Sequence, residues 1–413
     1  MRRAFVAALL GLTLLACKKQ RPSEAASLED SAAEAGPRSR CSTLGEPFVV
    51  GERDVASEDE DERLLPFSAE VGEAVVHDAG FAASATFFRG KEKIAGIVFV
   101  DRDGKGARFV ELGPVRGDVG PSQLAAKGSS LFVAVLEPAN EGRLIRLGKV
   151  EGTKTSFGGS VVEKRDESLA FDLAVGESSG LLAWDEESPQ GGAILVVPFH
   201  PETAAIKEKP RAISEPSVVA ESPRLLPHRD GFVLAYVARR AGADAAANED
   251  QFETEERGFR AIEAVFLDEK GERQGPVVAV TAREAHVAAF DMATLPDGRV
   301  AIAWREDDGP SGSGGGRVLG AIVQGDAVTE PIVLAEEKVG SGAPSIAARW
   351  LAISDAADVT RLGKLSPSFT LEGSLDADPT IGQGEVLAAE GDVVLVAKPR
   401  GKTIHLLTLR CEG

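Results

Sequence analysis

Four short patterns in this 413-residue chain carry residue types that chemistry could use. Gly176-Glu177-Ser178-Ser179-Gly180 has the G-x-S-x-G spacing of a nucleophile elbow, where a strained strand-to-helix turn lifts a serine above a parallel sheet. No helical pattern follows it, so the string reads as a polar turn between two strands. Gly312 to Gly316 (GSGGG) is glycine-rich like a phosphate cradle, but it lacks the Lys-Ser/Thr pair and the helix N-terminus that complete one. It reads as a hairpin tip. Asp101-Arg102-Asp103-Gly104 begins like a calcium loop without the later acidic ligands, and a β-turn is expected there. Five histidines are dispersed, with His77 and His228 each three residues before a glycine that opens a strand. None of these patterns amounts to a catalytic signature, and no catalytic residue, metal ligand or cofactor is assigned.

Charge narrows the partners. Lys and Arg number 46 against 65 Asp and Glu, for a formal net charge of −19, and no basic cluster follows the first forty residues. Nucleic acid binding needs a Lys/Arg stripe that displaces counterions, so the charge argues against it. The acidity is concentrated in Glu52 to Glu62 (ERDVASEDEDE) and Glu249 to Glu256 (EDQFETEE), which read as solvated loops; a cation site or a basic partner's docking surface is the sharper alternative.

The elements that must position any site come from a repeat. A turn residue followed by a short apolar strand, often ending Ala-aromatic and then charge, recurs at Gly80, Ser130, Gly180, Gly231, Gly298, Arg349 and Gly391. The starts lie 50, 50, 51, 67, 51 and 42 residues apart, and the long interval holds an insertion from Ala241 to Gly258. Around Gly231 the full unit is legible as four strands: SPRLLPH, GFVLAYVAR, RAIEAVFLDEKGE and GPVVAVT. A β-rich period near fifty residues is the mark of propeller blades. The fold expected is all-β, a β-propeller of seven four-stranded blades over residues 41–413; six or eight blades, or an irregular β-sandwich array, stay open. His286, Asp172, Asp291 and Asp378 would fall near innermost strands, and three or more converging His, Asp or Glu there would favour an enzyme. His77 and His228 could meet only across the axis.

The two ends say more. Arg2 and Arg3 precede an apolar run of twelve, Phe5 to Ala16, too short to span a bilayer. It ends Leu14-Leu15-Ala16-Cys17, which resembles the lipobox of bacterial lipoproteins. That resemblance, confined to about twenty residues, implies that residues 1–17 are a signal peptide with Cys17 acylated, a palmitate-type anchor. By the same analogy Lys18 implies an outer membrane, facing periplasm or cell surface. Residues 18–40 have almost no large apolar side chain and read as a flexible tether. The last blade stops without its outer strand, and Cys41-STLGEPFVVG has the shape of one. The chain here is similar to propellers closed by their N-terminal strand; that likeness puts Cys41 beside Cys411 and implies a disulfide, which the secreted compartment permits.

Trp184, Tyr236 and Trp304 occupy one place in the repeat and read as packing between blades. The charged residues after them, Asp185, Glu186, Glu187, Arg239, Arg240, Glu249, Asp250, Arg305, Glu306, Asp307 and Asp308, would lie in loops on one face of the disc and form the candidate binding face. The expected function is a membrane-anchored, non-enzymatic propeller that binds an envelope protein or extracellular ligand. A hydrolase or lyase acting on a sugar or small molecule in the central funnel is the alternative, and a purely structural spacer is the third.

Overall fold

The structure is a computed structural model and describes residues 40–51, 69–115, 120–138, 143–163, 170–188, 191–240, 258–308, 316–340, 342–354, 359–400 and 403–412. Those residues form seven antiparallel sheets and no helix. The innermost strands are Glu70–His77, Gln123–Lys127, Phe171–Val175, Val219–His228, Val287–Thr294, Pro344–Ala347 and Glu385–Glu390. Each touches the next, and the seventh touches the first, so they close a ring. This is a seven-bladed β-propeller, with blades one to seven in chain order.

All seven repeat phrases form the second strand of their blades, from Gly80–Arg89 to Val393–Arg400. Their near-continuous apolar runs follow from position: a central strand packs both faces against neighbouring blades and has no solvated side. The core is accordingly divided. Among the described residues, seven hydrophobic clusters lie one in each gap between adjacent blades. Trp184, Tyr236 and Trp304 are buried in three successive gaps, as the repeat predicts.

The two ends of the chain share blade seven. Cys41–Thr43 and Phe48–Val50 both pair antiparallel with the strand Thr403–Cys411 and complete its sheet. Cys41 pairs in register with Cys411 and is disulfide-bonded to it across 370 residues of sequence. Asp378, from the turn that leads out of blade six, holds the junction. Its carboxylate accepts the backbone N–H groups of Arg40 at 2.8 Å and Cys41 at 3.0 Å, while Thr380 donates to the Cys41 carbonyl at 3.0 Å.

Three of the four chemical patterns can be placed, and none is a site. Gly176 to Gly180 is a tight turn, with the Gly176 N–H donating to the Ser179 carbonyl at 2.8 Å between two antiparallel strands. Asp101 to Gly104 is a β-turn closed by the Gly104 N–H on the Asp101 carbonyl at 2.9 Å. Gly316 opens the third strand of blade five, while Gly312 to Gly315 lie outside the described residues. His77 and His228 do not meet across the axis: each ends its innermost strand and packs on a phenylalanine of its own blade, Phe99 and Phe266. Burial lowers both imidazoles from the usual histidine range.

Candidate functional site

Two regions could hold a function, the rim after the second strands and the axis. The rim residues lie further inside the fold than the sequence suggests. Asp185, Glu186 and Glu187 belong to the strand Gly180–Ser188, Arg239 and Arg240 to Gly231–Arg240, and Arg305, Glu306 and Asp307 to Val300–Asp307. Only Asp308 follows its strand; it is exposed. Glu249, Asp250, both acidic runs and Cys17 lie outside the described residues. Strands extend past the aromatic position because each pairs with a third strand of matching length, down to Ser188↔Gly191 and Arg240↔Phe259.

Most of these charges face partners of their own. The Asp185 carboxylate accepts the N–H groups of Ala170 at 2.9 Å and Ser222 at 3.0 Å, joining blade three to blade four, and burial pushes it up to about 6. Arg239 and Arg260 both pair with Glu221, at 3.4 and 2.7 Å. Arg240 pairs with Glu263, which also accepts the Tyr236 hydroxyl at 3.0 Å. Arg305 pairs with Asp307 at 2.7 Å, and Glu306 accepts the Trp304 indole N–H at 3.2 Å. Most of the rim charges are therefore tied into ion pairs and hydrogen bonds within and between neighbouring blades, with Arg240 Nη1 left without a hydrogen-bond partner.

The axis differs. An innermost strand is a sheet edge, and its inward N–H groups have no strand to bond. Three carboxylates supply acceptors, each from one blade to the next. Glu73 of blade one accepts the Leu124 N–H at 3.4 Å, Asp172 of blade three that of Leu225 at 2.7 Å, and Asp291 of blade five that of Ile346 at 2.8 Å. Asp172 also accepts the N–H of Leu173 at 2.8 Å, and Asp291 that of Met292. Arg224, on the innermost strand of blade four, lies within electrostatic reach of all three.

Local irregularities set this arrangement. The blade-one strand bulges between Val71 and Ala74, which turns Glu73 toward the axis. Gly72 makes that bulge possible: a Cβ there would lie 2.5 Å from the Cβ of Pro121 and the Oγ of Ser84. The blade-four strand bulges between Glu221 and Arg224, around Ser222 at φ 54°, whose N–H is held by Asp185.

Electrostatics follow from enclosure. Burial first, then the Asp172 charge, raise the Glu73 carboxyl well above its ordinary value, with Arg224 opposing. Burial lifts Asp172 to about 6 and raises Asp291, and Arg224 moderates both. Burial works against the Arg224 charge, but Asp172, Asp291 and Glu73 together outweigh it. Glu73, Arg224 and Asp291 still retain part of their exposed surface.

Of the residues that the sequence places near innermost strands, Asp172 and Asp291 come together here. Asp378 sits at the ring closure, and His286 stands just ahead of its strand with its ring against Phe259, away from the cluster. Glu73 and Arg224 escape a reading of the sequence, because both depend on bulges that displace them from strict alternation. Among the described residues, no three His, Cys, Asp or Glu side chains are grouped as a metal ion needs.

No protein-family model matches the chain. No curated protein matches it in sequence. Solved structures match in fold. A polysaccharide lyase, Uly1, superimposes with a TM-score of 0.51 at 8% identity, over 82% of this chain and 89% of that one. An α-L-arabinofuranosidase from Fusarium graminearum gives 0.42 at 12% identity, over 71% and 93%. The Dos1 propeller gives 0.42 at 10% identity, over 83% and 95%. At such identities the likeness establishes architecture alone, since unrelated activities share this scaffold: the chain is a β-propeller.

Proposed function

We propose that the chain is a lipid-anchored envelope protein whose propeller binds a ligand or protein partner without turning it over. The anchor rests on the sequence around Cys17. The binding reading rests on one observation: all three axial carboxylates already accept backbone N–H groups, two each at Asp172 and Asp291 and one at Glu73, and each ties its blade to the next. Acid–base cleavage of a glycosidic bond by the usual route needs two working carboxyl groups flanking it. A rigid polar channel with structural carboxylates suits recognition better than turnover.

Two experiments test the parts separately. Labelled palmitate should enter the wild-type protein and not Cys17→Ala, which should leave the membrane fraction; equal labelling, or equal membrane retention, would remove the anchor. Full-length protein crosslinked in intact cells should recover one partner in near-equal amount, or bind a defined ligand with no product formed.

The second reading is a hydrolase or lyase, and the Glu73 carboxyl favours it, because burial raises it above the ordinary carboxylate range, the direction a general acid needs. It requires turnover of an envelope polysaccharide that Glu73→Gln abolishes.

A further inference from the structure

At one level of the axis, six consecutive blades each present a polar residue opposite a small residue of their second strand. Gln123 faces Ala134, Asp172 faces Ala183, Arg224 faces Ala235, Asp291 faces Ala303 and Ser345 faces Ala352; Glu73 occupies its bulge opposite Ser84. Small partners leave the inner side chains free to lean into the channel. The seventh strand has Leu387 in its own bulge, packed into the core between blades seven and one.

The hydrogen-bonding capacity of this ring is only partly used. The Arg224 side chain makes no hydrogen bond or ion pair with any described residue, although three carboxylates lie within its electrostatic reach, and its nitrogens keep accessible surface. A guanidinium presents five N–H donors in a planar fork. Gln123 likewise has no side-chain partner among the described residues, and Glu73 keeps one oxygen. Ser345 donates to the Val386 carbonyl at 3.2 Å and can still accept. Unused donors and unused acceptors therefore stand in one ring around the axis.

Charge selects what fits between them. An anion drawn to Arg224 would meet Glu73, Asp172 and Asp291. A cation would meet the guanidinium. A neutral molecule whose groups both donate and accept satisfies every position. From this geometry we infer that the axial channel is a binding site for a neutral polyhydroxylated ligand, a sugar unit, held by Arg224, Gln123, Glu73 and Ser345. The inference deepens the binding reading above and rests on it.

The test uses full-length protein in a sugar-free zwitterionic detergent on an array of neutral, acidic and amino-group-bearing saccharides. Wild type should bind one or more neutral glycans. Gln123→Leu, which touches no inter-blade hydrogen bond, should weaken that binding at least 10-fold with an unchanged urea midpoint. Arg224→Lys, keeping the charge and losing the fork, should weaken it similarly. An array with no neutral glycan bound, preference for acidic or cationic saccharides, or full binding by both variants overturns the inference. A blank array with a protein partner recovered from crosslinked cells removes the sugar and leaves the binding reading standing. A neutral glycan that is bound and cut keeps the site and removes the non-enzymatic reading.

Discussion

A carboxylate that accepts backbone N–H groups is ordinarily held below its usual range, yet Asp172 and Asp185 are lifted to about 6 because burial outweighs those bonds. The sign of the consequence is fixed. The folded protein keeps protons that the unfolded chain has released, so this stabilisation is complete below the ordinary carboxylate value of 3.8, declines as pH rises, and is gone above about 6. For Asp172 the shift corresponds to roughly 3 kcal/mol. His77 and His228, lowered by burial, act in the opposite direction as pH falls through the histidine range, so the difference between proteins is the clean readout. Urea midpoints from pH 4 to 8 should show a smaller loss toward high pH in Asp172→Asn than in wild type. Parallel curves for the two proteins would mean that Asp172 is ionised throughout. Tyr236 makes a second case. Burial, with Glu263 beside it, pushes its hydroxyl up, and that hydroxyl is one of two partners holding a buried glutamate. Tyr236→Phe should cost about 1–3 kcal/mol in urea denaturation, the range for leaving a buried acceptor under-satisfied.

Between residue and molecule, the blade's four strands differ in how openly the sequence displays them. Second strands were legible as runs such as GLLAW and GFVLAY, since two buried faces require apolar residues at nearly every position. Outer strands as short as Arg211–Ala212 and Asp376–Ala377 carry no pattern that a sequence reading could weigh. Innermost strands mislead for another reason: a bulge adds a residue and reverses which side chains face the axis. Glu73 and Arg224 both lie at such bulges, so strict alternation along their strands does not single them out. Asp172 and Asp291 were visible as acids on apolar strands, but their association depends on blades one, three, four and five converging, which no local spacing encodes. The bulge makes its own prediction. Gly72→Ala places a methyl 2.5 Å from Pro121 and Ser84, and overpacking of this kind costs typically about 1–3 kcal/mol. The variant should also shift the Leu124 amide resonance, because the Glu73 side chain that accepts from it would move. An unchanged spectrum would show that the bulge absorbs the methyl.

At the level of the whole ring, stability depends on one seam. Six blades are continuous chain; the seventh is assembled from both ends and fastened by the Cys41–Cys411 disulfide and by Asp378. A cross-link spanning 370 residues restricts the unfolded chain by an entropic upper estimate on the order of 5 kcal/mol. Replacing both cysteines with serine should lower the thermal midpoint by several degrees, and adding Asp378→Ala should lower it further. No change in the double-serine protein would mean that the strand pairing alone carries closure. The same seam dictates the order of assembly. Cys41 emerges from the ribosome among the earliest residues of the propeller, and the strand it must join is among the last. Throughout synthesis its sheet edge has no partner, so the long-range contact that closes the ring forms after every other blade has its full sequence, the slow, high-contact-order step of this topology. Chains truncated before Thr403 would then hold up to six closed blades and one idle strand, with Cys41 reactive to a thiol probe that the full-length, disulfide-closed protein resists.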